Sequence, residues 1–245
     1  MLPYVMSLQG GANFRDLGGY GTLDGRRVRR TTVFRSGRLD RLTAIDWVEL
    51  GRLGLRTIVD FGSTNQGAVS PPHVEGLACK VVVAPFDPGA GKITGALADG
   101  PADPHLIVQL LIEVYRDFPN RCVPSFRTLF ATLSDRHNRP LVFHCTWGKD
   151  RSGFAAALLL TLLGVPMENV VEDYLRTNDL MIGTEGWYPK LGIDVRAAIF
   201  EARASYIETA LNRMHADFGS PESFADRALG LDSAALHRLK ADLLE

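Results

Sequence analysis

Short apolar runs and longer amphipathic runs divide the chain into predicted strands and helices. Runs rich in Val, Ile and Phe predict buried strands at 33–35, 55–61, 79–84 and 141–143. Helical spacing predicts a helix that Thr43 caps and that ends near Leu53. The same spacing predicts further helices at 103–118, 122–136, 154–163, 167–177, 195–217, 221–228 and 233–243. Strands that alternate with helices, followed by a helical C-terminal part, indicate an α/β fold.

Breaks in this pattern predict turns and loops. Pro119-Asn120 separates two of the helical runs, and Gly164 ends the helix that begins near Phe154. Residues 85–102 and 179–194 are predicted to be long loops, and loops of that length are usually functional or disordered. Either loop is a candidate lid over a site. The Gly-rich residues 10–25 are predicted to form an ordered loop, since they lack the order of a dinucleotide-binding motif.

Length and charge narrow the class of protein. No linker-like stretch divides the 245 residues, so residues 1–245 are expected to form a single domain, and residues 179–245 are a candidate helical lid or tail. The formal net charge of −1 gives no general electrostatic reason to expect nucleic acid as a partner. No apolar run approaches the roughly 20 residues that cross a bilayer, so no integral membrane segment is expected. The oligomeric state is left open.

Cysteine and histidine usage argues against disulfides and metal. The chain has three cysteines, and this odd number indicates a reducing compartment, so a cytoplasmic location is expected. The six histidines lack ligand spacing, so no metal site and no cofactor are expected.

The strongest chemical signal follows the strand at 141–143, where the sequence is His-Cys-Thr-Trp-Gly-Lys-Asp-Arg-Ser-Gly. The strand carries Cys145 to the carboxyl edge of the sheet, where ligand sites of α/β proteins lie. The loop amides and the N-terminus of the next helix then form a site for an anion of phosphate size. Such surroundings lower a thiol pKa from about 8.5 to roughly 3.5–7.5. Cys145 is therefore expected to act as a thiolate nucleophile that forms a phosphocysteine intermediate.

Other residues of the loop have roles that fit phosphoryl transfer. Arg151 offers a planar fork of donors for two phosphate oxygens, and Ser152 can hydrogen-bond the sulfur as it leaves. Lys149 adds positive charge, and the two glycines allow close backbone approach. The predicted substrate-binding residues of the loop are His144, Thr146, Trp147, Gly148, Lys149 and Gly153.

Residues 144–153 resemble the signature loop of the cysteine-based protein tyrosine phosphatase superfamily, and their Gly-Lys-Asp-Arg core resembles a bacterial and fungal branch of it. Residues 13–19, 34–37 and 55–60 are similar to other motifs of that branch, and residues 172–175 are similar to the segment after its signature helix. The resemblance implies a central, mostly parallel sheet, no metal cofactor, and activity on phosphotyrosine, with phosphoserine, phosphothreonine or phosphoinositides as further substrates. The chain departs from the branch at Asp60-Phe61-Gly62, where an arginine is missing, and at Trp147, which replaces a small residue and is a candidate pocket wall.

Three aspartates are candidates for the general acid that protonates the leaving oxygen. Asp150 ranks first because it lies in the loop, Asp60 second because its strand ends at the same sheet edge, and Asp87 third because Asp-Pro is a common turn pair. By resemblance, Asn13, Arg15 and Asp16 are expected near the site, and the favoured alternative is a structural network that fixes the Gly-rich loop. Arg35 could bind phosphate or pair internally, and the sequence leaves that choice open.

Several functions remain compatible with this loop. The leading one is a phosphatase for phosphorylated proteins, and the nearest alternative is a phosphoinositide or small phosphate-ester phosphatase. An arsenate-reducing thiol protein is a third possibility, although it normally needs a second, resolving cysteine. A phosphate-binding pseudophosphatase is disfavoured because Cys145, Arg151 and Ser152 are all present.

Overall fold

The structure, a computed structural model, describes residues 5–62, 79–98, 102–181 and 191–245. Its strands, in chain order, are β1 (Arg15–Asp16), β2 (Val33–Ser36), β3 (Thr57–Asp60), β4 (Lys80–Val83) and β5 (Leu141–His144). They form a sheet with the order β1-β2-β5-β3-β4. β1 pairs with β2 in antiparallel fashion, and the other neighbours pair in parallel. This mostly parallel sheet flanked by helices confirms the predicted α/β class.

The helices near the sheet and at the C-terminal end complete the fold. They are α1 (Ala44–Arg52), α2 (Gly91–Ala98), α3 (Pro104–Arg121), α4 (Val123–Ser134), α5 (Arg151–Leu162), α6 (Met167–Leu175), α7 (Thr177–Leu180), α8 (Ile193–Phe200), α9 (Ala204–Phe218), α10 (Pro221–Arg227) and α11 (Ser233–Leu243). None of these described helices combines the length and apolar content needed to cross a bilayer.

The alternating side chains of the strands build two apolar layers, one on each face of the sheet. Ile58 and Val142 point to the face that packs against Trp47 of α1. Their neighbours Val59 and Phe143 belong to the larger cluster on the other face, which includes α5. Successive residues of a strand point to opposite faces, so parallel strands buried on both faces are apolar throughout. α5 therefore lies inside the protein, with Arg151 at its start among its buried residues.

The strand register brings three polar residues to one edge of the sheet. Ser36 at the end of β2 and Asp60 at the end of β3 both pair with His144, the last residue of β5. All three are buried. Cys145 follows directly, so the candidate loop begins at the carboxyl edge, as the sequence predicts.

The predicted break at Pro119-Asn120 is wrong. α3 continues through Pro119 to Arg121, and α4 begins at Val123, so the junction lies at Cys122. A proline inside a helix removes one donor and usually kinks or ends the helix. Here Phe118 and Pro119 are both buried, and the amide of Cys122 still reaches the Phe118 carbonyl at 2.9 Å. Tertiary packing therefore holds the helix together past the proline.

The loop predicted at 85–102 contains a helix instead. α2 occupies Gly91–Ala98, and residues 99–101 lie outside the described residues. Ile93 is buried in the larger apolar cluster, and Leu97 packs against it. The Gly- and Ala-rich composition does not predict this helix. It is stabilised by the packing of Ile93 and Leu97 against residues that are distant in sequence.

The long helix predicted at 195–217 is two helices, α8 and α9, which are separated at residues 201–203. The side chain of Asn178 makes both backbone hydrogen bonds of Ala202: its Oδ1 accepts from the amide at 2.7 Å, and its Nδ2 donates to the carbonyl at 3.0 Å. The amide and carbonyl of Ala202 therefore do not take part in helical hydrogen bonds. Of the predicted loop at 179–194, residues 182–190 lie outside the described residues, and the two ends belong to α7 and α8.

Candidate active site

The loop between β5 and α5 packs tightly on the end of β2. Gly148 has a φ of 68°, a conformation that side chains other than glycine rarely adopt. A Cβ at this position would lie 2.6 Å from the Gly37 amide nitrogen and from the Ser36 carbonyl. Gly153 is equally constrained, because a Cβ there would lie 2.9 Å from the ring of Tyr174. Both glycines are therefore required by close approach, as the sequence predicts.

Three consecutive carbonyl groups of the loop are held by donors outside it. The amide of Arg38 donates to Thr146 at 3.2 Å, Asn13 Nδ2 donates to Trp147 at 3.2 Å, and Arg35 Nη2 donates to Gly148 at 2.6 Å. Carbonyls that are engaged on the outside of the curl leave the loop amides available to an anion on the inside.

A buried ionic cluster supports these anchors. Asp173 on α6 accepts from Arg15 Nε at 3.0 Å, from Arg35 Nη1 at 2.6 Å and from the Tyr20 hydroxyl at 3.2 Å. Arg15 also binds the side-chain oxygen of Asn13. Burial raises the pKa of Asp173, but the attraction of the two arginines outweighs it and brings the value to about 2. The cluster therefore stays charged and ties β1 and β2 to the loop.

This cluster settles the position of Arg35, which pairs internally. Arg15 and Asn13 belong to the same network, which is the structural role that the sequence left as the alternative for them. Asp16 lies elsewhere: its carboxylate accepts from the amides of Gly18 at 2.8 Å and Thr31 at 2.7 Å and so braces the turn after β1.

The guanidinium of Arg151 is held by neutral oxygens. Nη1 donates to the Phe61 carbonyl at 2.9 Å and to the Phe86 carbonyl at 3.4 Å, and Nη2 donates to Thr146 Oγ1 at 2.8 Å. The two carbonyls follow β3 and β4, so the neighbouring strands orient this side chain. Since none of these three partners is a carboxylate, they leave the positive charge of Arg151 for a bound anion.

Cys145 is buried, with 2% of its surface exposed. The side chains of His144 and Ser152, in the same stretch of chain, have no hydrogen-bond partners among the described residues. The hydroxyl of Ser152 has no hydrogen-bond partner in the described part of the protein, so the predicted bond to the sulfur is not formed here. The imidazole Nε2 of His144 lies 3.5 Å from Asp60 Oδ1, and neither ring nitrogen makes a hydrogen bond within the described ranges. Burial lowers the pKa of His144 against the attraction of Asp60, which favours the neutral imidazole at pH 7.

Lys149 is directed to internal partners. Its ammonium donates to the carbonyl of Ile199 in α8 and lies 3.3 Å from Asp150 Oδ1. It also lies 5.7 Å from the centre of the Tyr206 ring, and the side chain is 2% exposed. The sequence predicts that Lys149 brings a second positive charge to the substrate. In this conformation its ammonium instead contacts Ile199 of α8 and Tyr206 of α9.

Trp147 packs against α8, and its role as a pocket wall stays a prediction. Its ring meets the ring of Phe200 edge-to-face at 4.9 Å between centroids, a favoured geometry for aromatic pairs. α8 therefore contacts the loop through both Phe200 and the carbonyl of Ile199.

The three candidate acids differ in their surroundings. Asp60 Oδ1 accepts from the Gly62 amide at 2.6 Å, so this carboxylate braces the turn after β3. Asp87 is 81% exposed, accepts from the Gly89 amide at 2.9 Å and pairs with Arg121 at 3.4 Å. Both have the turn-bracing contacts that a structural role would require.

Asp150, at the last position before α5, has a different environment. Its Oδ1 accepts a hydrogen bond from the hydroxyl of Tyr115 at 2.7 Å, and its side chain is 24% exposed. Within the described part of the chain, its side chain accepts from no backbone amide of the kind that occupies Asp60 and Asp87.

Sequence reasoning gave no site role to Tyr115 or to the two carbonyls that hold Arg151, and it noted Asp173 only as part of a segment that resembles the family. The position of Asp173 could have indicated its role, because it falls beside Val170 and Tyr174 on the buried face of a predicted amphipathic helix. An acid at such a position needs a buried cation. Among the described residues, no cluster of three or more His, Cys, Asp or Glu side chains could hold a metal ion.

Comparisons with known proteins agree with this geometry. A sequence profile of the tyrosine phosphatase family matches residues 6–245. A Cupriavidus necator protein whose name assigns it to the tyrosine-protein phosphatases is 35% identical over 233 residues, which cover 92% of this chain and 84% of that protein. The triple specificity protein phosphatase PtpB of Mycobacterium tuberculosis is 27% identical, with 98% of this chain and 99% of PtpB covered.

Among solved structures, P. aeruginosa TpbA in complex with phosphotyrosine aligns with 77% of this chain and 89% of its own, at 16% identity and a TM-score of only 0.34. The assignment of the family therefore rests on the sequence matches. On that basis the chain belongs to the tyrosine phosphatase family and is a cysteine-dependent phosphatase.

Proposed function

We propose that the protein hydrolyses phosphotyrosine and related phosphate monoesters through a phosphocysteine intermediate on Cys145. The observation that carries this proposal is the pairing of Cys145, at the end of β5, with Arg151, whose guanidinium is fixed by the carbonyls of Phe61 and Phe86. A nucleophile and a preorganised cation at the two ends of one loop are what phosphoryl transfer requires.

The reaction has two steps. The thiolate of Cys145 attacks phosphorus, the bond to the leaving oxygen breaks, and that oxygen takes a proton from Asp150. Water then attacks the phosphocysteine, Asp150 takes a proton from it, and the phosphorus–sulfur bond breaks to release phosphate and the thiolate. The buried, unpartnered hydroxyl of Ser152 can donate to the sulfur as it leaves. Arg151 and the amides of the loop hold the equatorial oxygens throughout.

Asp150 is our choice for the acid because it lies in the loop and Tyr115, rather than a turn amide, occupies one of its oxygens. Asp150→Asn, Asp60→Asn and Asp87→Asn should be compared on phenyl phosphates with leaving groups of rising pKa. A true acid contributes about 10²–10⁴-fold, most of it on poor leaving groups. An Asp150→Asn variant with an unchanged leaving-group dependence would move the role to another carboxylate.

Phosphoprotein substrates are favoured over phosphoinositides. Lys149, the residue that would suit a polyanionic headgroup, is bound by the Ile199 carbonyl. The name of PtpB records a triple specificity for that relative. Hydrolysis rates on phosphotyrosine, phosphoserine and phosphothreonine peptides, and on a soluble inositol lipid, test whether this protein also acts beyond phosphotyrosine.

The three cysteines are free of disulfide bonds, which supports a reducing compartment such as the cytoplasm.

The direct test is phosphate release from p-nitrophenyl phosphate by wild type and Cys145→Ser, with and without a chelator. We expect turnover that survives the chelator and disappears in the variant. A folded, reduced wild type without turnover would refute the proposal and favour a phosphate-binding protein.

A further inference from the structure

Tyr115 connects the helical half of the protein to the candidate acid. It lies in α3 and is fully buried, yet its hydroxyl reaches Asp150 Oδ1 at 2.7 Å across 35 residues of sequence. The ring is stacked between Phe118, with centroids 4.5 Å apart, and Tyr206, at 5.4 Å. Packing on both sides fixes the phenol, so the hydroxyl has a defined position relative to the loop.

A second tyrosine sets the direction of this hydrogen bond. The hydroxyl of Tyr174 lies 2.6 Å from that of Tyr115. An ionised carboxylate only accepts, so Tyr115 donates to Asp150, and Tyr174 donates to Tyr115. Burial, and next to it the charge of Asp150, raise the pKa of both phenols well above the usual value, which keeps both protonated. The chain of donors therefore runs from Tyr174 through Tyr115 to Asp150, and such chains strengthen each hydrogen bond.

The two carboxylate oxygens of Asp150 have different contacts. Tyr115 at 2.7 Å and Lys149 at 3.3 Å both approach Oδ1. An oxygen that accepts from a hydroxyl and faces an ammonium is a poor site for a proton, so the transferred proton belongs on Oδ2. Protonation of Oδ2 leaves Oδ1 able to accept, so the contact with Tyr115 persists in both steps of the reaction.

We propose that Tyr115 is a positioning residue that holds Asp150 by Oδ1 and leaves Oδ2 to deliver and recover the proton. This inference rests on the proposed role of Asp150 as the general acid. It also explains why a tyrosine hydroxyl is present at a fully buried position of α3, where phenylalanine would fill the same space without needing a partner.

The test is Tyr115→Phe, which keeps the ring and removes the donor. With phenyl phosphate, which has a poor leaving group, we expect kcat/KM to fall about tenfold, a part of the 10²–10⁴-fold effect of losing the acid itself. With dinitrophenyl phosphate, whose leaving group needs no proton, we expect less than about a twofold change in kcat/KM, which reports only the steps up to formation of the phosphocysteine.

Tyr206→Phe is the matched control. It removes a hydroxyl from the same aromatic cluster, and that hydroxyl donates to the Ala198 carbonyl at 3.2 Å rather than to Asp150. We expect its leaving-group dependence to equal that of wild type. Tyr174→Phe should give an intermediate effect, since it weakens the Tyr115 hydrogen bond without removing it.

A double mutant separates this inference from the proposal on which it rests. If Tyr115 acts through Asp150, adding Tyr115→Phe to Asp150→Asn should change kcat by less than about twofold. A tenfold further loss in that background, or equal losses on both leaving groups in Tyr115→Phe alone, would overturn the positioning role. If Asp150→Asn itself leaves the leaving-group dependence unchanged, the assignment of the acid fails instead, whatever Tyr115→Phe does.

Discussion

The substitution Asp173→Asn tests whether the buried ionic cluster holds the loop. Asn has nearly the same shape as Asp, so the variant removes the charge that Arg15 and Arg35 share, with the geometry kept. Both arginine side chains are fully buried, and that of Asp173 is 1% exposed. Without the carboxylate, the two cations face each other without compensation.

The expected loss follows from two estimates. A pKa lowered from 3.8 to about 2 corresponds to about 2 kcal/mol in favour of the charged carboxylate. Breaking a buried ion pair by removing one partner typically costs about 3–5 kcal/mol. We therefore expect Asp173→Asn to lower the free energy of unfolding by about 2–5 kcal/mol. For a chain of this size that corresponds to a fall in Tm of about 4–20 °C.

The assay is urea unfolding and thermal melting beside a matched surface variant. Asp242→Asn removes a carboxylate that also pairs with two arginines, Arg136 and Arg139, each at 2.7 Å, but Asp242 is 19% exposed. Ion pairs near the surface contribute about 0–1 kcal/mol. If Asp173→Asn destabilises the protein no more than Asp242→Asn does, the cluster is not the support described here.

The same variant should also lose activity. Arg35 uses one nitrogen for Asp173 and the other for the Gly148 carbonyl, so a displaced Arg35 releases the loop. At a temperature well below the Tm of the variant, we expect kcat/KM to fall while the Asp242→Asn control stays at the wild-type value.

Three further predictions concern pH, the loop backbone and the loop arginine. The difference in unfolding free energy between wild type and Asp173→Asn should be complete above the unfolded-state pKa of 3.8 and disappear as pH falls through about 2. The reason is that a lowered pKa stabilises the folded state only while the acid is charged. A difference in urea unfolding free energy that stays constant from pH 6 to 2 would contradict this. Gly148→Ala, whose Cβ would lie 2.6 Å from backbone atoms of Ser36 and Gly37, should abolish most p-nitrophenyl phosphate turnover, whereas Gly21→Ala, which has open space around it, should not; equal rates would refute the close packing. Arg151→Lys should lower kcat/KM by about 10²-fold or more, because a single ammonium cannot contact the carbonyls and the phosphate as the guanidinium does; a loss below tenfold would argue against a bidentate role.

Local patterns predicted the elements whose causes are local. Thr43 forms the capping box expected at the start of α1, and Gly164, with a φ of 84°, follows α5 as expected. The strand, loop and helix around Cys145 were predicted because nucleophile, glycines and arginine lie within ten residues of one another. This proximity in sequence made the central chemistry visible without coordinates.

Features that depend on distant partners could not be predicted in the same way. The break between α8 and α9 is set by Asn178, which lies in α7, and α2 depends on the burial of Ile93. The contact between Tyr115 and Asp150 joins elements that are far apart in sequence. Arg35 illustrates the limit most clearly, since its residue type suits a phosphate as well as a buried carboxylate.

The most direct test of the central claim is to trap the phosphorylated enzyme. Asp150→Asn should slow hydrolysis of the intermediate, because the same carboxylate activates water, so rapid acid quenching during turnover of dinitrophenyl phosphate should let it accumulate. Intact and peptide mass spectrometry should then find one added phosphoryl group on the peptide that contains Cys145. Turnover without any such adduct in wild type and variant, or an adduct on another residue, would contradict the account.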